Sequence, residues 1–368
     1  MSDRAQSNHS RVMIMAGGTG GHVFPALAVA EILMANNVDV SWLGTRKGIE
    51  SQLIPQRGID LNYLNIEGLR GRGLLALLRA PFKLLSSVLQ ACSVISQFNP
   101  SVVLGMGGFA SGPGAVAAKL KGIPLVIHEQ NSVAGTTNKL SAKLATKIMQ
   151  GFPNTFKQAE WCGNPIRSEI AALHHDSGRL VNRSGPLRVL VLGGSRGALA
   201  INKIIPRALA AIDSQYRPEV LHQVGDKHLE LTQNLYLEQG HDINSSAISI
   251  VPFIDKMDEA YAWADFVICR SGALTVAELT AVGLGAFLIP FPFAIDDHQT
   301  VNGQWLVDSG AAEMLLESDL TVEKLADYIK QIASNRDQCI AMSQCAKTIA
   351  KLGAAERVAE VCLEVANG

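Results

Sequence analysis

Short, strongly apolar runs recur along this 368-residue chain at 12–15, 38–43, 101–104, 124–127 and 146–150, separated by stretches with helical periodicity. Such runs predict strands buried on both faces, and the stretches between them predict crossover helices, so a parallel α/β sheet is expected. After about residue 185 the pattern restarts, at 188–192, 219–223, 248–251, 265–269 and 286–289. Two Rossmann-like domains with parallel sheets, facing each other across a cleft, follow from this repetition.

The two halves also open alike. Val12-Met13-Ile14-Met15-Ala16 runs into Gly17-Gly18-Thr19-Gly20-Gly21, and Val189-Leu190-Val191-Leu192 runs into Gly193-Gly194-Ser195-Arg196-Gly197. In both, a strand ends in a small-residue turn that starts a helix. The join is expected near Gly163-Asn164-Pro165, ahead of the polar stretch from His174 to Gly185, giving domains of 11–164 and 165–348.

Composition narrows the class. Thirty-two Lys and Arg against 33 Asp and Glu leave no electrostatic footprint for nucleic acid. Six cysteines without a CxxC pair suit a reducing compartment, and the polar start of the chain has no signal-peptide character. Between Lys83 and Lys119 no charge occurs, yet Ser86, Gln90, Ser93 and Gln97 recur at helical spacing, which predicts an amphipathic helix and not a membrane span.

Glycine turns after strands let backbone amides approach an anion, and the following helix adds its positive end. Turns of this kind stand at Gly17–Gly21, Gly105–Gly114 and Gly193–Gly197, with a further candidate at Arg270-Ser271-Gly272-Ala273. A single one would be explained by tight strand-to-helix packing, whereas several on one sheet end favour a phosphate-bearing ligand. No GxxxxGK[ST] is present.

Gly105-Met106-Gly107-Gly108-Phe109-Ala110 satisfies GxGxx[GA], with Glu129 placed as a ribose-binding acid would be, so an NAD-linked oxidoreductase is an alternative. Against it, Ser111-Gly112-Pro113-Gly114 reads as a continued loop that delays the helix. Gly193 to Gly197 also fits GxSxG, with Asp265 and His298 downstream as a hydrolase would need them, but a duplicated phosphate turn explains both glycine sites. Metal signatures such as HExxH or paired CxxC are lacking, so no metal or other cofactor is expected.

Gly17-Gly18-Thr19-Gly20-Gly21-His22-Val23-Phe24-Pro25-Ala26, Gly105 to Pro113, His128-Glu129-Gln130-Asn131, Gly163-Asn164-Pro165-Ile166-Arg167, Arg270 to Glu278 and Asp297 to Asn302 together closely resemble the MurG family of bacterial glycosyltransferases. The resemblance implies a GT-B fold and transfer of N-acetylglucosamine from UDP-N-acetylglucosamine to the muramyl sugar of lipid I, giving lipid II. It also implies a C-terminal helix within 349–368 that packs back on the N-terminal domain. A UDP-sugar 2-epimerase of the same fold and a non-catalytic sugar-nucleotide-binding protein are the nearest rivals.

On this resemblance His22 is the general base, taking the proton of the acceptor 4-hydroxyl as it attacks the anomeric carbon with inversion. Its alternative role is to hydrogen-bond the loop or the diphosphate. The UDP-N-acetylglucosamine site would comprise Thr19, Gly20, Gly21, Asn131, Arg167, Ser195, Ile254, Ala273, Leu274, Thr275, Val276, Ala277, Glu278 and Gln299. Ile254 would lie beside uracil, Glu278 on the ribose hydroxyls, Ser195 and Arg167 near the diphosphate, and Gln299 on the sugar. The bland alternatives are a solvated helix position for Glu278 and a surface ion pair for Arg167.

Phe109 is expected to line the acceptor side, and Arg196 stands where the family often has glutamine. A lipid-linked acceptor requires an anionic membrane surface, as a peripheral protein on the cytoplasmic face of the inner membrane. Arg72, Arg79 and Lys83 share a helical stripe beside Leu74, Leu75, Leu77, Leu78 and Phe82, with Pro81 expected to split it into two short helices.

Overall fold

The computed structural model describes residues 10–66, 74–175, 178–194 and 197–368, without the side chains of 74–79 and 295. The chain forms two compact units, 1–167 with 353–368, and 168–352. The first thus keeps Arg167, three residues past the join expected at 164, and the chain re-enters it at Gly353.

In the first unit the order is β1 (Arg11–Ala16), α1 (Gly20–Ala35), β2 (Asp39–Gly44), α2 (Glu50–Gln56), β3 (Asp60–Tyr63), α3 (Leu74–Phe98) and β4 (Val102–Gly107). Then come α4 (Ser111–Leu120), β5 (Leu125–Glu129), α5 (Thr136–Ser141), β6 (Lys147–Gln150) and β7 (Glu160–Trp161). The strands form one sheet in the order β3-β2-β1-β4-β5-β6-β7, and every pair is parallel. Both faces of β1 are buried: Val12 and Ile14 enter one apolar cluster with α1, and Met13 and Met15 enter another with α3 and α4.

The second unit runs α6 (Ser168–Ala172), β8 (Arg188–Leu192), α7 (Leu199–Ala210), β9 (Glu219–Gln223), α8 (Leu229–Glu238), β10 (Ile248–Val251) and α9 (Met257–Trp263). It continues with β11 (Phe266–Cys269), α10 (Ala273–Val282), β12 (Gly285–Leu288), α11 (His298–Asp308), β13 (Ala312–Met314), α12 (Val322–Ser334) and α13 (Arg336–Thr348). Its sheet is also parallel, in the order β10-β9-β8-β11-β12-β13. The chain then returns to the first unit as α14 (Ala354–Asn367), which buries Val358, Ala359, Val361 and Cys362 in the same cluster as Val12 and Ile14.

Five elements depart from the sequence expectations. Strands β3, β7 and β13 lie at sheet edges and are too short and too polar to stand out as apolar runs. Helix α3 continues through Pro81, because the proline lies on the exposed side, where water can serve main-chain groups its ring leaves unbonded. Helix α4 starts at Ser111 without the expected delay: Ser111 Oγ donates to the Gly107 and Met15 carbonyls at 2.7 and 2.9 Å. A Cβ on Gly114 would come within 2.1 Å of Met15 Sδ, so glycine here lets the helix lie directly on β1.

Candidate active site

In a doubly wound sheet, ligands bind beyond the carboxyl ends of the strands, where the strand order reverses direction. In the first unit that point lies between β1 and β4, whose following turns are Gly17–Thr19 and Gly108–Ala110. The turns touch through their backbones. Gly108, at φ +88°, leaves the room that Gly17 occupies, since a Cβ there would fall 2.3 Å from the Gly17 carbonyl oxygen.

His22 lies in the first turn of α1, where its amide and that of Val23 both bond the Thr19 carbonyl at 3.2 Å. Its half-buried imidazole fits against Gly107, whose missing Cβ would stand 2.8 Å from His22 Nδ1. Nδ1 is 2.8 Å from Oε1 of Gln130, which follows β5 directly. Thr19 and Gly21 are exposed beside it, Gly20 is half-buried, and Phe109 is exposed after β4.

Two buried carboxylates shape this end of the sheet. Glu50, at the start of α2, accepts from the Gly18 amide at 2.9 Å and from the Thr45 amide and hydroxyl at 2.9 and 2.7 Å. Glu129 accepts from Asn131 through its amide and its side chain at 2.9 and 3.2 Å, from the Gly135 amide at 3.0 Å and from Asn138 Nδ2 at 2.9 Å. Glu129 therefore orders the loop after β5 and is not turned out as a ribose-binding acid. Arg167 places its guanidinium 5.5 Å from the Phe24 ring centre. Lys83 is exposed on α3; Arg72 and the Arg79 side chain lie outside the described residues.

In the second unit the order reverses between β8 and β11, and the turns after these strands are Gly193–Gly197 and Arg270–Gly272. Ser195 and Arg196 lie outside the described residues. Gly197, at φ +72°, lets the turn pass the Val224 carbonyl, which a Cβ would approach to 2.3 Å. Behind it, Asn202 Nδ2 donates to the Val224 carbonyl at 2.9 Å and His222 lies between Asn202 Oδ1 and the Tyr236 hydroxyl at 3.2 and 3.1 Å. Burial pushes the His222 pKa down to about 3, which keeps the ring neutral.

Gly272 precedes α10, so the positive end of that helix opens at the switch point with Leu274 and Thr275 half-buried there. Ala273 and Val276 are buried in the unit, Ala277 is half-buried, and Val276 donates its amide to the Gly272 carbonyl at 2.9 Å. Glu278 is buried, and Tyr261 donates to its Oε2 at 2.9 Å, so the solvated-position alternative fails. Gln299 joins this turn: Ser271 Oγ donates to its carbonyl at 2.7 Å, and its Oε1 accepts the Phe291 amide at 2.9 Å. Arg270 donates to the Ile289 and Pro290 carbonyls at 3.0 Å and pairs with Glu317. Ile254 lines a shallow hollow of about 330 Å³ with Leu221, Val251, Phe253 and Trp263.

The hydrolase alternative loses its acid. Asp265 bonds Arg183 at 2.9 Å and the Arg188 amide at 3.0 Å. It stands at the start of β11, whereas Gly193 follows the end of the parallel neighbour β8, so the two occupy opposite ends of the sheet. Sequence reasoning also left Glu50, Gln130, Tyr261 and Arg270 without roles; only Gln130 and Arg270 stood in a motif that could have flagged them.

Two parallel α/β units, each with glycine turns where its strand order reverses, define the GT-B class of glycosyltransferase fold. Residues 12–150 match the glycosyltransferase family 28 N-terminal domain and residues 188–358 the family 28 C-terminal domain. The chain belongs to glycosyltransferase family 28, among the MurG transferases. It is 50% identical over 361 residues to the UDP-N-acetylglucosamine–N-acetylmuramyl-(pentapeptide) pyrophosphoryl-undecaprenol N-acetylglucosamine transferase of Nitrosococcus oceani, covering 97% of this chain and 99% of that one. The transferase of the same name from Shewanella piezotolerans is 50% identical over 369 residues, with both chains covered in full. The crystal structure of Acinetobacter baumannii MurG superposes with a TM-score of 0.81 at 38% identity, covering 96% of this chain and 99% of that one. The two curated relatives are named as transferases, so the epimerase and oxidoreductase alternatives are not favoured.

Proposed function

We propose that this enzyme moves N-acetylglucosamine from UDP-N-acetylglucosamine to the 4-hydroxyl of the N-acetylmuramyl sugar of lipid I, forming lipid II for peptidoglycan. The carrying observation is the His22 imidazole in the first turn of α1, beside the switch point, with Nδ1 against Gln130. The acceptor oxygen forms a bond to the anomeric carbon, the bond from that carbon to the diphosphate breaks with inversion, and His22 takes the hydroxyl proton. UDP leaves with the bonding electrons.

The second unit takes the donor in this reading. The positive end of α10 faces the diphosphate, an arrangement suited to charge that grows as UDP departs. Glu278, held by Tyr261, suits the paired ribose hydroxyls, the hollow at Ile254 suits uracil, and Gln299, tied to the same turn through Ser271, suits the sugar. Ser195 and Arg167 belong to the diphosphate, and Thr19, Gly20, Gly21 and Asn131 complete the donor contacts, with Phe109 toward the acceptor.

The lipid-linked acceptor places the enzyme on the anionic cytoplasmic face of the inner membrane as a peripheral protein. Among the described residues no helix is long and apolar enough to cross a membrane. Helix α3 instead exposes Phe82, Leu85 and Leu89, by 75, 58 and 62%, at i, i+3 and i+7 beside Lys83.

Purified enzyme given donor labelled in its sugar and a lipid I analogue should form labelled disaccharide lipid and UDP in equal amounts. Donor loss without labelled lipid would overturn the reading. His22→Ala should lower kcat by roughly 10²- to 10⁴-fold and leave UDP binding intact.

A further inference from the structure

A histidine that acts as a base must present one ring nitrogen bare, and the hydrogen bond at the other nitrogen decides which one. In the first unit that choice traces back to two main-chain carbonyls. Nε2 of His128 lies 2.9 Å from the Gly163 carbonyl oxygen, which only accepts, so Nε2 carries the proton. His128 is fully buried, and burial holds its pKa down at about 4, so the ring is neutral and its Nδ1 bears a lone pair.

Gln130 Nε2 lies 3.1 Å from that Nδ1 and 3.1 Å from the His128 carbonyl oxygen. Both are acceptors, so the amide nitrogen must face them and cannot exchange places with its oxygen. The Gln130 backbone is held as well, since its carbonyl accepts from Asn164 Nδ2 at 3.0 Å. Oε1 is thereby aimed at His22 Nδ1, 2.8 Å away. An amide oxygen only accepts, so the neutral His22 ring carries its proton on Nδ1 and leaves Nε2 bare.

The geometry points to Gln130 and His128 as positioning residues that select the Nδ1–H tautomer of His22, making Nε2 the atom that receives the acceptor's proton. This rests on His22 being the base. Once Nε2 is protonated, the same Oε1 still accepts from the imidazolium, so the relay holds the ring in place through the step without adding a charge. Gly107 contributes by absence, because a side chain there would displace the imidazole from Gln130.

The test uses the full-length protein labelled with ¹⁵N in histidine, with the His22 signals assigned by their loss in His22→Gln. Two-bond ¹H–¹⁵N correlations should show His22 as the Nδ1–H form. Gln130→Met, similar in shape but without the acceptor, should move it toward a mixture and cut kcat by about tenfold or more, the equivalent of one lost hydrogen bond. KM for UDP-N-acetylglucosamine should stay within roughly twofold, since the loss falls on the chemical step.

Gln130→Glu keeps an acceptor toward His22 and should preserve the Nδ1–H form, but its second oxygen meets the two acceptors that Gln130 Nε2 serves, so kcat should fall between wild type and Gln130→Met. Adding His128→Leu to Gln130→Met should cost little further kcat, because the two residues act in series. A wild-type His22 protonated on Nε2, or Gln130→Met with wild-type kcat, would overturn the proposal. Were His22→Ala to keep turnover while wild type showed the Nδ1–H form, the base reading would fail and the tautomer assignment would stand.

Discussion

Glu50 accepts the Gly18 amide at 2.9 Å from a fully buried position, and so ties the turn after β1 to the start of α2. Three glycines make room for it: a Cβ on Gly17, Gly44 or Gly48 would approach its side chain to 2.5, 2.8 or 1.9 Å. Its other oxygen serves Thr45, so both ends of the carboxylate are used.

Glu50→Gln keeps the volume but turns an amide NH₂ toward groups that donate. The first unit should lose about 2 to 3 kcal/mol, the range for breaking buried bonds to a charged acceptor. Denaturant unfolding with paired kcat measurements checks this, and an unchanged midpoint would remove Glu50 from the account of the loop.

Gly108→Ala and Gly18→Ala separate crowding from backbone strain. Both have positive φ, at +88° and +96°, but a Cβ at 18 meets nothing within 4 Å, while one at 108 strikes the Gly17 backbone. Gly18→Ala should therefore cost about 1 to 2 kcal/mol. Gly108→Ala should cost more and abolish turnover, because backbone cannot rotate aside as a side chain can. Equal losses in thermal denaturation would contradict the close approach.

Tyr261→Phe removes the hydroxyl that donates to Glu278 Oε2. UDP affinity by titration calorimetry should fall by roughly 3- to 10-fold, with the fold intact. If UDP binds as in wild type, Glu278 does not depend on Tyr261 to meet the ribose.

Replacing Phe82, Leu85 and Leu89 together with serine should abolish flotation with anionic vesicles and spare kcat on a water-soluble acceptor. All three are exposed, so stability should change little. Retained flotation would move the membrane surface elsewhere.

Acid should weaken both units through His128 and His222, whose folded pKa values of about 4 and about 3 lie below the ordinary 6.5. Below pH 6.5 the unfolded chain takes up protons that the folded chain refuses, so stability present above 6.5 is lost as pH falls toward 4. The slope should reach about 1.4 kcal/mol per pH unit for each histidine. His222→Phe should flatten the pH dependence of the denaturation midpoint for the second unit; an unchanged slope would show that His222 is not its source.

The sheets were readable from sequence because central parallel strands are apolar on both faces: 188–192 coincides with β8 and 265–269 covers β11. Edge strands β3, β7 and β13 were not, since one side of an edge meets water and polar residues enter it. The glycine turns showed where ligands could approach, through backbone needs that only glycine meets. The groups that hold those turns did not show, because Glu50 reaches Gly18 across 32 residues and Gln130 reaches His22 across 108. Pro81 and Ser111 misled for local reasons: the proline lies on the exposed side of α3, and the Ser111 hydroxyl finds the Gly107 and Met15 carbonyls.

Helix α14 closes the core of a unit whose first strand lies more than 300 residues earlier. During synthesis the second unit can complete its own core first, while the apolar side of β1 and α1 waits uncovered until α14 leaves the ribosome. A chain stopped before residue 354 would carry every named site residue and still lack the helix that seals the His22 half, so nonsense products should be captured by chaperones and not accumulate as partial enzymes.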